Sequence, residues 1–319
     1  MAGAKVCMCS NPTVLTARAA ASHYERHNMS DTVLVSGANG RTGRAVVTAL
    51  LKRGVAVSAF IRKPEQADGL KALGATSIAI GDMLAADTIR AAMKGCDAVV
   101  HIGPPMHPDE KLITSHFVNA AMAVNIKRFV YYSVMHPLRR EVPHHARKLD
   151  TEEMVIESGV PYTIIQPIRY MQHLETIWKE VLSSGVHAMP FNTHVKFNVA
   201  DLVDLADASA LAATTPGHLY ATYELAGPQS LSQDEMATII GEVLKRPITA
   251  RQIPLDEMAS KAKAAGATDL RIETMRKMNG HYDHSGFLGN ANVMRWLLGR
   301  EPTHFCVYVE RLAKRDGLM

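Results

Sequence analysis

The stretch TVLVSGANGRTGRAVV, residues 32–47, decides how the rest of the chain is read. An apolar, β-branched run leads into Gly37, Gly40 and Gly43, spaced G-x-x-G-x-x-G, and then into a helical pattern. In that position the first glycine allows a tight turn and the second lets backbone approach a pyrophosphate. The third lets helix and strand pack closely, while the helix N-terminus offers N–H donors and a positive dipole. A glycine string alone says little, but one placed between a strand and a helix is a specific signal for dinucleotide binding. Ala38, Asn39, Arg41 and Thr42 complete the loop expected to cradle the phosphates.

Outward from the loop, β-rich runs alternate with helical segments. VAVSAFI, TSIAIGD, DAVVHIG, RFVYYSV and PYTIIQP read as the second to sixth strands, with helices between them. The helix before the sixth strand is read over residues 148–158. Uniformly apolar strands in this order imply a doubly wound, mostly parallel α/β sheet of Rossmann type, covered on both faces. Past Pro167 the rhythm changes. A helix is read at MQHLETIWKEVLSSG, then a strand at VKFNVA and a helix from Asp201; TYELAG, an N-capped helix at SQDEMATIIGEVLKR and ITARQIP follow. The division expected is a nucleotide-binding domain over residues 29–167 and a smaller α+β substrate lobe over residues 168–319. Residues 1–28 lack a clear period and read as a disordered tail or an upstream start, with an organelle transit peptide as the alternative.

Composition narrows the function class. The 319 residues carry 47% apolar and 21% charged side chains, an ordinary balance for a soluble chain with a sizeable core. A net charge of +4 without long basic runs argues against nucleic acid, and no apolar stretch is long enough to span a bilayer. Four cysteines form no disulfide framework, which suggests a reducing, cytoplasmic setting. Cys7 and Cys9, and His281 with His284, are too sparse to define a metal site, so none is expected. The partner expected is a small molecule, with homodimerisation left open.

The end of the second strand selects the dinucleotide. An acid there would bind a ribose 2′-hydroxyl. This chain has Arg62 and Lys63 instead, with Arg41 nearby, which favours the 2′-phosphate of NADP. Asp82 and Met83 fit the adenine edge, while Ile102, Gly103 and Pro104 fit the nicotinamide-side ribose after the fourth strand; Pro167 closes the sixth strand beside them.

VLVSGANGRTG, FIRKPEQ, MKGCDAVVHIG, SGVPYTIIQP and YDHSGFLGNANVMRWLLGREPTHF together resemble the NmrA-like family of atypical short-chain dehydrogenases. The resemblance runs from about Thr32 to the C-terminus. It implies a Rossmann fold and NADP. It also implies that a lysine ahead of the GVPYT strand, Lys148 here, holds the nicotinamide ribose. The family contains reductases and NADP-sensing regulators without activity, so the site must decide between them.

In short-chain dehydrogenases a serine after the fifth strand precedes a Tyr-x-x-x-Lys. Here Ser133 holds the serine place, but the tyrosine place in VPHHARKLDTEE is His144. No Tyr-x-x-x-Lys exists nearby, because Tyr131 and Tyr132 are followed four residues later by Met135 and His136. Lys148, His144 and Ser133 are therefore the candidate catalytic residues, with His144 either a proton donor or an ordinary polar-turn histidine. His136, Tyr170, His173 and Tyr282 are candidates for the substrate wall, alongside His281, Phe287 and, unless they are helix core, Met171 and Trp178. The expected function is hydride transfer from NADPH to a conjugated or aromatic carbonyl-type acceptor such as a quinone or enone. The alternative is a non-catalytic NADP-sensing regulator.

Overall fold

A computed structural model describes residues 31–319, so the N-terminal tail with Cys7 and Cys9 lies outside the described residues. The chain first lays down β1 (Thr32–Val35), α1 (Arg41–Lys52), β2 (Ala56–Ile61), α2 (Ala67–Lys71), β3 (Ser77–Ile80) and α3 (Ala86–Met93). It continues with β4 (Ala98–His101), α4 (Glu110–Ala123), β5 (Arg128–Tyr132), α5 (Pro143–Glu157) and β6 (Tyr162–Pro167). The central sheet runs β3-β2-β1-β4-β5-β6 and then takes a seventh strand, with every pair parallel.

Side-chain alternation along β1 explains why the strands are apolar throughout. Val33 and Val35 pack on one face with Val46, Val47 and Leu50 of α1. Leu34 points the other way, into a second core with Ile89 and Met93 of α3, Phe117 of α4 and Val155 of α5. Each such fully buried side chain contributes about 1.5–3 kcal/mol. Because β1 is flanked by β2 on one side and β4 on the other, the chain reverses direction there. Such a switch point, at the carboxyl ends of the strands, is where a doubly wound sheet receives its ligand.

The second half is β7 (Arg169–Tyr170), α6 (Trp178–Ser184), β8 (Val186–Met189), β9 (Phe197–Ala200), α7 (Leu202–Thr214) and β10 (Ala221–Leu225). Then follow β11 (Ser230–Leu231), α8 (Gln233–Leu244), β12 (Thr249–Gln252), α9 (Leu255–Ala264), α10 (Asp269–Ser285), α11 (Asn292–Leu298) and α12 (Phe305–Arg315). β10, read in sequence as TYELAG, is the seventh strand of the main sheet, paired with β6. Residues beyond Pro167 thus return to the nucleotide-binding sheet. α7 returns with them and buries Leu205, Ala206 and Ala210 on the same face as α1. Two small sheets, β11-β9-β7 and β12-β8, carry the rest of the second lobe. No helix among the described residues is long and apolar enough to cross a membrane.

Two helix boundaries differ from the sequence reading. α5 starts at Pro143 rather than at Lys148, with proline at a first-turn position where its missing N–H costs nothing. The segment 171–185 is not one helix: residues 171–176 form a tight 3-10 turn ahead of α6. There the Gln172 side chain accepts a bond from the Leu202 N–H and donates to Asp201, capping α7. The N-cap predicted for α8 is present, and it forms a capping box in which Ser232 and Glu235 accept each other's backbone N–H.

Candidate functional site

The glycine loop is shaped by contacts that only glycine permits. Gly37 has φ +60°, and a Cβ there would meet the Ile102 carbonyl at 2.8 Å. A Cβ on Gly43 would lie 2.2 Å from the Gly37 oxygen and 2.6 Å from Ala38 Cα, both backbone atoms that cannot swing aside. α1 follows without a side-chain cap and without an acid in its first turn. The N–H groups of Arg41, Thr42 and Gly43 thus have no intrahelical acceptor. This uncapped positive end at the switch point fits a pyrophosphate. Arg44 braces the loop, donating to Asn39 Oδ1 at 2.9 Å and to the Gly69 carbonyl. Beneath it, the Ser36 hydroxyl pairs with His101 Nδ1 at 2.9 Å and bonds the backbone of Ile102. His101 is fully buried, and burial then Lys148 hold its pKa down to about 3.

The remaining cofactor candidates surround this loop. Arg62 and Lys63 are exposed at the end of β2, where the Gln66 side chain accepts both of their backbone N–H groups. Arg41 instead donates to the Gln172 carbonyl at 3.0 Å, which ties the loop to the second lobe. Asp82 is exposed and accepts from the Leu84 N–H, and Met83 is half-buried beside it. Ile102, Gly103 and Pro104 follow β4, half-buried. Pro167 is buried and its carbonyl accepts from the Met135 N–H.

The chemistry gathers where β5, α4 and α5 meet. Lys148, on the second turn of α5, is buried rather than exposed, and its ammonium donates to Glu110 Oε1 at 2.5 Å and to the Tyr132 carbonyl at 2.6 Å. Tyr131 also donates to Glu110 Oε1, at 3.1 Å, and its ring lies under the ammonium. Glu110 is 2% exposed, and a Cβ on Gly103 would come within 3.0 Å of its carboxylate. One turn beyond Lys148, Glu152 is buried against Ser133 and takes two 2.9 Å bonds from the Gln166 amide. Burial pushes the pKa of Glu152 up, opposed by Ser133, Gln166 and Lys148. Glu110, Glu152 and Gln166 were not among the sequence candidates. An acid in the first turn of a helix looks like a routine dipole partner, and only the fold brings its lysine, 38 residues on, into contact.

His144 precedes Lys148 by four residues on the same helix, so the two share a face in the manner of a Tyr-x-x-x-Lys pair. It belongs to the first turn of α5, not to a surface turn. Burial, then Lys148, hold its pKa down to about 3, so the ring is neutral near pH 7 and has no proton to spare as an imidazolium. Its neighbour His145 is fully buried, with Nδ1 against the His136 carbonyl and Nε2 against the Tyr282 hydroxyl, both at 2.9 Å.

The substrate-wall candidates split into two groups. His136 and Tyr282 come together through His145 and Phe287: the Tyr282 ring stacks on Phe287 at 5.0 Å and His136 meets Phe287 edge-on. His136 holds φ +55°, an unusual backbone for histidine that aims the loop after β5 at this wall. Tyr170 and His173 stack on each other at 5.6 Å on the other side, with Tyr170 against Thr42 of the glycine loop and His173 exposed. Met171 and Trp178 are core. His281 contacts Arg139, and among the described residues no group of three or more His, Cys, Asp or Glu could hold a metal.

This architecture has known relatives. The NAD(P)H azoreductase of Xenophilus azovorans is 28% identical over 286 residues, covering 89% of this chain and 99% of its own. An Escherichia coli NADPH-dependent quinone oxidoreductase, solved with NADPH, superimposes with a TM-score of 0.77 at 22% identity, covering 88% of this chain and 99% of that one. Triphenylmethane reductase from a Citrobacter species gives the same TM-score at 24% identity, over 89% and 99% of the two chains. The model of the NmrA-like family matches residues 29–299, from just ahead of β1 to the end of α11, and the chain belongs to that family.

Proposed function

We propose that the protein is an NADPH-dependent reductase of quinone- or dye-like acceptors. The observation that carries this reading is the buried Lys148–Glu110 pair, placed at the strand ends beside the glycine loop with a neutral histidine where an alcohol dehydrogenase keeps tyrosine. NADPH, when bound, supplies the hydride. The uncapped N-terminus of α1 and the backbone of residues 37–43 hold the pyrophosphate, and Arg62 with Lys63 hold the 2′-phosphate. Lys148 reaches the nicotinamide-side ribose with its ammonium aimed by Glu110 and the Tyr132 carbonyl.

No residue here is set up to remove a proton from an alcohol: His144 is neutral but too weak a base, and the Lys148 ammonium is already paired. That arrangement suits an acceptor that spreads the incoming negative charge over its own conjugated system. A neutral acceptor of that kind takes the hydride and then one proton from water. His136, half-buried and edge-on to the buried Phe287, gives the acceptor an aromatic edge to lie against. The activities of the azoreductase, quinone oxidoreductase and triphenylmethane reductase relatives support the same reading.

The test is NADPH oxidation at 340 nm with a panel of quinones, enones and azo dyes. Turnover with at least one member is expected, reduced at least tenfold in Lys148→Ala. Tight NADPH binding without oxidation across the panel would overturn the reductase and favour a cofactor-sensing regulator.

A further inference from the structure

Arg169 is held at the edge of the second lobe, with no anion beside it among the described residues. It is the first residue of β7, two positions beyond the end of β6, and it is half-buried. Its guanidinium lies over the rings of Phe191 and Phe197, at 5.0 and 5.5 Å. Its one hydrogen-bond partner among the described residues is the Met189 thioether, at 3.7 Å. Among the described residues no carboxylate pairs with it, and the nearby Tyr282 phenol, its pKa raised by burial, is neutral near pH 7. Burial lowers its pKa only to about 10, so it stays charged at neutral pH.

A half-buried guanidinium without an anion is unusual, because a desolvated charge is normally paired. The aromatic faces offset part of the cost, but they accept none of its planar array of N–H donors. The same wall connects it to the site. Tyr282 lies near Arg169, packs edge-on to Phe197 at 6.0 Å, and bonds His145 on the helix that carries Lys148. Tyr170, the next residue along β7, turns to the glycine loop.

We propose that Arg169 is a specificity residue for the acceptor, binding an anionic substituent (carboxylate, sulfonate or phosphate) through the guanidinium N–H groups that have no protein acceptor among the described residues. This rests on the reductase reading above. A guanidinium holds such a group through two parallel N–H···O bonds, which a lysine cannot reproduce.

The test compares 1,2-naphthoquinone with 1,2-naphthoquinone-4-sulfonate as acceptors, and measures binding of the unreactive naphthalene-1-sulfonate by calorimetry. For the intact protein the sulfonated quinone should show the lower KM. Arg169→Met should raise that KM by about tenfold to a hundredfold, the worth of a charge-assisted pair. It should leave the KM of the neutral quinone within about twofold and abolish naphthalenesulfonate binding. Arg169→Lys, which keeps the charge and most of the stem, should fall between the two and covers the case in which the methionine variant does not fold. Equal changes for both quinones, or unchanged sulfonate binding in either variant, would overturn the proposal. Sulfonate binding that depends on Arg169 without turnover of either quinone would sink the reductase reading and leave the anion site standing.

Discussion

Replacing Glu110 by alanine should be among the most destabilising single changes in the molecule, for a reason that can be worked through. The carboxylate is 2% exposed, and it accepts from the Lys148 ammonium at 2.5 Å and from the Tyr131 hydroxyl at 3.1 Å. Lys148 is itself 6% exposed and keeps only the Tyr132 carbonyl once the acid is gone. Removing one member of a buried pair strands the other charge, at a cost of about 3–5 kcal/mol. For a chain of this size that corresponds to a fall in Tm on the order of 10 °C. Urea unfolding followed by far-ultraviolet circular dichroism would measure it. Removing both charges, in Glu110→Ala with Lys148→Met, should recover much of the loss, because no charge is left buried alone. A single variant losing less than about 1 kcal/mol, or a double variant as unstable as the sum of the singles, would refute the reasoning.

Two further outcomes follow from other parts of the structure. Arg62→Glu should lower the preference for NADPH over NADH by about tenfold to a hundredfold, the worth of a charge-assisted contact; equal kcat/KM ratios in variant and parent would count against that assignment. The buried histidines should make the fold acid-sensitive: burial lowers the pKa of His101 to about 3 and of His145 to about 4, against the ordinary 6.5. Unfolding lets each take up a proton near pH 6.5, so their contribution is complete above that pH. It is lost at about 1.4 kcal/mol per pH unit for each ring as pH falls toward 4. His101→Phe should flatten the stability profile between pH 6 and 4 by one such increment, and parallel profiles would contradict it.

What the sequence disclosed was local, and what it hid was not. The glycine loop was legible because its turn, its close approaches and its helix start all fall within a dozen residues. The doubly wound, mostly parallel sheet was legible because strands covered on both faces are mostly apolar. The seventh strand escaped assignment to that sheet because TYELAG lies 54 residues past the end of β6, after a second lobe has intervened. The start of α5 was misplaced because VPHH looks like a turn unless Pro143 is seen as a helix's first residue. That shift changes the chemistry: with the helix running from Pro143, adjacent histidines diverge by about 100° of rotation. His144 then shares a face with Lys148, whereas His145 turns to Tyr282.

The buried lysine also explains how the two halves of the crevice keep their spacing. Glu110 opens α4, which follows β4, and Lys148 belongs to α5, which follows β5. Their contact therefore joins the crossover that carries Ile102 and Gly103 to the one that carries His144. The Tyr132 carbonyl, at the end of β5, fixes the ammonium from beneath. On the opposite side, Arg41 joins the glycine loop to the Gln172 carbonyl, and Gln172 in turn caps α7. A ligand lying across the strand ends would thus be held between two polar clasps, one buried and ionic, the other at the surface and neutral on its acceptor side. Glu110 and Lys148 both belong to the nucleotide-binding half, so of the two clasps only the bond from Arg41 to Gln172 ties that half to the second lobe.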